Sequence, residues 1–209
     1  MNIVEKMSGL SQAGAGWVMW VLVALSVVGL GVVLERTVVL LLSRDNMRGL
    51  SQDLSAALLR RDRTRAAHRL QESPSFEARI AGAALECSDP AQARERLAGA
   101  SVLARLDMQR HLAFLGTLGN NAPFVGLFGT VIGIIRAFSA LEQSAGQVSA
   151  SLMSEVGEAL VATAVGLLVA LPAVAFFNLF QRVIAARLGR AQALAHEVIA
   201  YLELESAGD

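Results

Sequence analysis

The sequence predicts an all-α integral membrane protein with three transmembrane helices, the second and third extending into a cytoplasmic helical bundle. Three observations carry this prediction. Hydrophobic residues make up 54% of the 209 residues and mean hydropathy is +0.51, too apolar for a typical soluble domain with so much arginine. Charges are absent between Lys6 and Glu35, between Arg110 and Arg136, and between Glu158 and Arg182; each gap holds the roughly 20 residues needed to cross about 30 Å of hydrocarbon. Finally, Gly116, Gly119, Pro123, Gly126, Thr130, Gly133 and Ala137 recur at three-four spacing, which puts them on one stripe of a helix. In a soluble helix each glycine costs about 1 kcal/mol relative to alanine. In a bilayer, small residues are what let helices approach one another, so the stripe reads as a surface facing other helices.

The elements follow in order. Residues 1–16 form a short N-terminal segment, weakly amphipathic through Ile3, Val4, Met7 and Leu10, lying along the outer interface or frayed. Residues 17–42 are the first transmembrane helix. A cleaved signal peptide is the alternative, but the uncharged stretch far exceeds an h-region of about 7–15 residues, and its one cation, Lys6, neighbours Glu5. Residues 43–111 are a cytoplasmic helical insert. Leu50, Leu54, Ala57, Leu58 and Arg61 keep helical spacing in a segment that Ser73-Pro74 ends, and a short helix follows over 76–87. Asp89-Pro90 then supplies an N-cap with proline at the first helical position. No proline intervenes before Pro123, so one helix is expected to run from 90 through the second span, 112–139. A loop at 140–150 leads to the third span, 151–180, and a C-terminal helix, 181–209, continues it to about Leu204.

Arginine sets the orientation. Twelve fall in 43–111, and Arg182, Arg187 and Arg190 follow the third span, while the 140–150 loop has no Lys or Arg. The positive-inside rule puts the insert and the C-terminus in the cytoplasm and the N-terminus outside. Arg136, near the outer end of span two, either snorkels to the interface or meets a carboxylate. Nine acidic residues offset the arginines of the insert, which favours solvated helix faces over a nucleic-acid interface. Cys87 is the only cysteine, so no internal disulfide forms and a reduced structural thiol is expected.

Catalysis is not expected. His68, His111 and His196 are scattered, without partners at metal-ligand or nucleophile-base spacing, and neither a metal nor an organic cofactor is implied. What remains is polar groups at membrane depth. Thr130 belongs to the stripe of span two, and Thr163 lies on a matching one, Ala159, Thr163, Gly166, Ala170 and Ala173. If the stripes face each other or a central axis, the two hydroxyls share an inner surface; the alternative is that each bonds back to its own helix. Glu158 is the acid well inside span three. A carboxylate there costs about 2.5–3.5 kcal/mol, so it faces a cavity or partner unless it reaches the outer interface. It stands about 140° around the helix from Thr163, so no continuous proton wire follows. Threonine does not titrate, and a proton path needs a carboxylate from another chain or a file of water.

GTLGNNAPFVGLFGTVIGIIRAF (116–138) and VGEALVATAVGLLVALPAVAFFN (156–178) closely resemble the two membrane signatures of the MotA/TolQ/ExbB proton-channel family, specifically over about 110–185 and in topology elsewhere. The resemblance implies a homopentameric ring in the bacterial inner membrane, its N-termini periplasmic. The ring would enclose two copies of an ExbD/TolR-like single-span partner with an intramembrane aspartate. By motif, Thr130 and Thr163 match pore-lining threonines and Glu158 the family glutamate. Gly116, Gly119, Pro123, Gly126, Gly133, Ala159, Gly166, Ala170 and Pro172 fall on helix-packing or pore-wall positions. Protons are the implied coupling ion, membrane lipids the surroundings, and a TonB- or TolA-like transducer the recipient of work. ExbB-like support of TonB-dependent import is the first expectation, and TolQ-like envelope maintenance or a gliding-type motor the alternatives. Arg136 departs from the uncharged residue expected there. A reading of another class is a non-conducting scaffold whose small stripes only mediate assembly. A self-contained transporter would need inverted repeats with polar sites at mid-membrane, and three spans offer none.

Overall fold

The computed structural model describes residues 16–143 and 150–207. The expected N-terminal segment, apart from Gly16, and positions 144–149 of the expected loop lie outside the described residues. Within them every regular element is a helix: α1 (Gly16–Leu42), α2 (Met47–Leu59), α3 (Arg63–Glu72), α4 (Phe76–Leu85), α5 (Pro90–Gln109), α6 (Leu112–Gln143) and α7 (Ala150–Ser206). Three helical stretches, containing α1, α6 and α7, are long and apolar enough to cross a membrane.

The chain divides into two compact units. One combines residues up to Val33 with His111–Asn178, the other Leu34–Arg110 with Leu179 onward. In the first, α1, α6 and the first half of α7 pack around Val18, Leu22, Leu118, Ala122, Ile132, Ala170 and Ala173. The outward faces are equally apolar, with Trp20, Val27, Leu30, Phe124, Leu168 and Leu171 all exposed. A helix apolar on every side is one whose outer face meets lipid rather than water. Gly29 and Gly129, neither on the predicted stripe, let α1 in: a methyl on Gly29 would lie 2.8 Å from the Leu118 side chain, and one on Gly129 3.3 Å from Val18.

The second unit has a soluble-type core of Leu50, Leu54, Ala57, Leu58, Ala66, Leu70, Ala78, Ala81 and Ala84, closed by Leu194, Val198 and Leu202 of α7. Its helices start on side-chain caps. Asn46, Asp62, Ser75 and Asp89 each accept a first-turn backbone N–H, satisfying donors that the helix cannot. Two buried guanidiniums tie the unit together. Arg187, 5% exposed, donates through Nε to Glu77 at 3.1 Å, through Nη1 to the Ser43 hydroxyl at 2.7 Å and through Nη2 to the Ser43 carbonyl, and it lies 5.6 Å from the Phe76 ring centroid. Arg36 bonds Glu35 at 2.6 Å and the Asp107 carbonyl at 3.0 Å. Removing one member of the Arg187–Glu77 pair, buried on both sides, should cost about 3–5 kcal/mol, because the other charge is stranded.

Two helix expectations are corrected. The segment expected to be helical up to Ser73-Pro74 divides into α2 and α3 at Arg60–Asp62, where Arg61 takes φ 58°. Its N–H donates to the Leu58 carbonyl and that of Asp62 to the Ala57 carbonyl, the paired bonds of a Schellman end, here without the usual glycine. Likewise, the helix expected from 90 into span two stops at Gln109; Arg110 is extended and His111 takes φ 63° before α6 begins. Neither break has a Gly or Pro to announce it, and packing on each side outweighs the roughly 1–2 kcal/mol of a left-handed residue. The third span does run on, as one helix from Ala150 to Ser206. Cys87 is free and buried.

Candidate functional site

The site is the seam where α6 meets α7. Its register is set by the absent side chains of the stripe. A methyl on Gly126 would lie 2.8 Å from the Ala162 carbonyl oxygen, 3.0 Å from the Thr163 Cα and 3.2 Å from the Gly166 Cα. One on Gly166 would meet the Ala122 carbonyl oxygen at 2.7 Å and the Gly126 Cα at 3.1 Å. Glycine is thus required on both sides of the same crossing. The contact continues toward the C-terminal end of α6, where Gly133 faces Ala159, with 2.5 Å to that Cβ, and toward its N-terminal end, where Gly119 faces Val174 and Gly116 the Phe177 ring at 3.3 Å. Ala159 and Ala170 are buried. Pro123 is half-buried inside α6. Pro172, inside α7, lines a cavity of about 210 Å³ with Gly29, Leu115 and Leu118. Both stripes therefore meet within one chain, and the helix-facing surface read from the three-four spacing is the α6–α7 contact.

The two threonines are placed differently. Thr130, 8% exposed, stands one turn from Gly126, and its hydroxyl donates to the Leu127 carbonyl at 2.6 Å, the back-bonded arrangement usual for a hydroxyl in an apolar helix. Thr163, opposite Gly126, has a buried Oγ1 with no hydrogen-bond partner. A buried hydroxyl left unpaired costs about 1–3 kcal/mol, and natural structures rarely tolerate it without a water, ion or incoming group. Glu158 is half-buried, and its Oε1 lies 3.3 Å from the Cβ position of Gly16, at the start of α1. The carboxylate thus serves a contact with α1, different from that of Thr163.

Arg136 has a partner carboxylate. Its Nη2 is 3.0 Å from Glu155 Oε1, while Glu155 Oε2 is buried without a partner. Glu155 was not picked out from the sequence; the α6–α7 register is what brings it to Arg136, and a cation at the outer end of a span was the only available sign that an acid lay near. Among the described residues no cluster of His, Cys, Asp and Glu is arranged to hold a metal.

A model of the family described as "MotA/TolQ/ExbB proton channel family" matches residues 65–193. A Helicobacter pylori protein named "Putative biopolymer transport protein ExbB-like 2" is 42% identical over 77 residues, 37% of this chain and 51% of its own length. Proteins named "Biopolymer transport protein ExbB" from Pseudomonas putida and Neisseria gonorrhoeae are 44% identical over 91 residues and 45% over 83; those matches cover 44% and 40% of this chain and 27% and 37% of theirs. The chain spans about half the length of these relatives or less.

Proposed function

Because the chain belongs to the MotA/TolQ/ExbB proton channel family, we propose that it is the channel-forming subunit of an inner-membrane motor, converting proton flow into work on an envelope partner in an ExbB-like transport system. The observation that carries this reading is the orphan hydroxyl of Thr163. It lies on α7 at the Gly126–Gly166 crossing of the seam, whereas the other candidate hydroxyl, Thr130 on α6, already bonds its own backbone. An unpaired hydroxyl at membrane depth is a ready donor or acceptor for a passing water or for a carboxylate brought by a second polypeptide. Among the described residues the chain places just two acids in the third span, Glu155 and Glu158. The first is engaged with Arg136, and the second is turned toward the start of α1. The proposal therefore assigns the titrating group to an ExbD/TolR-like single-span partner carrying an intramembrane aspartate. The ring is taken to be a pentamer, and the recipient of work a TonB-like transducer, energising outer-membrane import.

The test separates the two threonines. Thr163→Val should reduce proton-dependent transport at least tenfold, and the Thr130→Val/Thr163→Val pair should abolish it, with the complex still co-purifying with its partner. Thr130→Val alone should act more weakly, because its hydroxyl already bonds Leu127. Full transport in the double variant would sink the channel reading. It would favour the non-conducting scaffold.

A further inference from the structure

A second polar site lies in the other unit, unconnected with the seam. A cavity of about 420 Å³ is lined by Arg44, Arg48, Arg187 and Arg190, with Asp45, Asn46, Met47 and Glu77. Its charges are unevenly matched. Glu77 is held by Arg187, and Asp45 accepts from Arg69 at 3.4 Å and from the Asn46 N–H at 2.7 Å. Asp45 is therefore already engaged, and Glu77 is held through Oε1 while its Oε2 is buried without a partner. Arg44, Arg48 and Arg190 are exposed, and no acid of the described residues pairs with any of them. Three guanidiniums thus border one cavity with fifteen N–H donors between them and no carboxylate paired with any of the three.

The backbone adds to this. Asn46 caps α2, a helix of 13 residues, and its side chain accepts only the Gly49 N–H, so the first-turn amides of Met47 and Arg48 have no intrahelical acceptor. They face the positive end of the helix dipole, where phosphate groups bind readily. Arg44 lies two residues before the cap and Arg48 in the first turn, while Arg187 and Arg190 stand three apart on α7, a spacing that puts the latter pair on one side. Arg187, fixed by Glu77 and Ser43, forms a rigid floor. The guanidinium fork matches two phosphate oxygens at once, which a lysine cannot do.

We propose that this cavity is a binding site for a phosphate group, held by Arg44, Arg48 and Arg190. Two sources present that chemistry here. α1 ends at Leu42, two residues before Arg44, with Leu42 74% exposed; an anionic lipid headgroup beside such a leucine is one source, and basic pockets at the cytoplasmic ends of spans bind such headgroups. A soluble phosphate compound is the other.

The experiment uses the full chain, delipidated in neutral detergent, and follows its melting temperature during titration with dioleoyl-phosphatidylglycerol, with dioleoyl-phosphatidylcholine, and with sodium phosphate against sodium chloride of equal ionic strength. A saturable rise with phosphatidylglycerol alone assigns the site to lipid, and one with inorganic phosphate to a soluble ligand. In either case Arg44→Gln/Arg48→Gln/Arg190→Gln should weaken the apparent affinity at least tenfold, while Arg65→Gln/Arg96→Gln/Arg105→Gln, the same loss of charge elsewhere, should leave it unchanged. Should the triple variant lose its helical circular dichroism, Arg48→Gln alone is expected to weaken affinity severalfold. No saturable rise with phosphatidylglycerol or phosphate overturns the proposal, as does a rise that the cavity variants retain. Proton transport is not read in any arm, so failure here leaves the channel reading untouched.

Discussion

Arg136 and Glu155 form an ion pair whose partners are 32% and 21% exposed, between the fully buried and the solvated limits. The attraction is stronger than at an aqueous surface, but Glu155 already carries one unpaired buried oxygen. Losing the arginine would leave both oxygens unanswered. We therefore expect Arg136→Gln to lower the melting temperature of the purified chain by an amount equivalent to about 1–3 kcal/mol, short of a fully buried pair. Arg136→Leu with Glu155→Leu should recover most of that loss, since an apolar pair of similar volume often replaces an ion pair without penalty. If the double variant is no more stable than Arg136→Gln, the pair has a role beyond neutralising its own charges. The cation was visible in the sequence as an oddity, whereas its acid was not, because pairing across two helices depends on a register that only close packing fixes.

Among the elements, the start of α5 was the best signalled. Asp89-Pro90 predicts the start of α5 at Pro90, where it is found, because N-cap chemistry and the fixed φ of proline are local properties. The breaks at Arg61 and His111 were not legible for the opposite reason. Each follows a residue that any helix would accept, and each exists because the packing of the next helix demands a turn there. Arg61 is then a position where the sequence departs from what the backbone favours. Arg61→Gly should stabilise the chain by about 0.5–1 kcal/mol, relief of left-handed strain being partly offset by the freedom glycine has when unfolded. Arg61→Val should destabilise by a similar or larger amount. Denaturant unfolding of the two variants beside the parent would decide, and a stabilised valine variant would contradict the Schellman geometry.

The whole molecule combines two physical regimes in one chain, and the composition blurred them. Apolar gaps located the spans because exclusion of charge from hydrocarbon is a strong rule. The three-four stripe marked the α6–α7 face because small residues let membrane helices approach closely, although spacing alone could not tell a neighbour in the same chain from one in another. The insert had weaker signals, since its core is largely alanine and leucine among many charges. Its stability should respond to acid. The Ser73 hydroxyl above all, then the Asn46 N–H and Arg69, hold the Asp45 carboxyl below its ordinary 3.8 despite some burial. A carboxyl depressed on folding contributes stability that is complete above its unfolded value and lost as pH falls through its folded value. The parent should therefore exceed Asp45→Asn in melting temperature by a constant margin from pH 7 to about pH 5. That margin should shrink below 3.8; one independent of pH would mean that Asp45 acts through shape alone.

Gly126 and Gly166 each occupy the space that the other's side chain would need. Most packed pairs offer an escape, in which one residue grows while its neighbour shrinks and the total volume is kept. Here neither partner has anything left to give up. The crossing is closed to compensation from either side, and a lineage carrying this chain can diversify around these two positions but has no stepwise route through them.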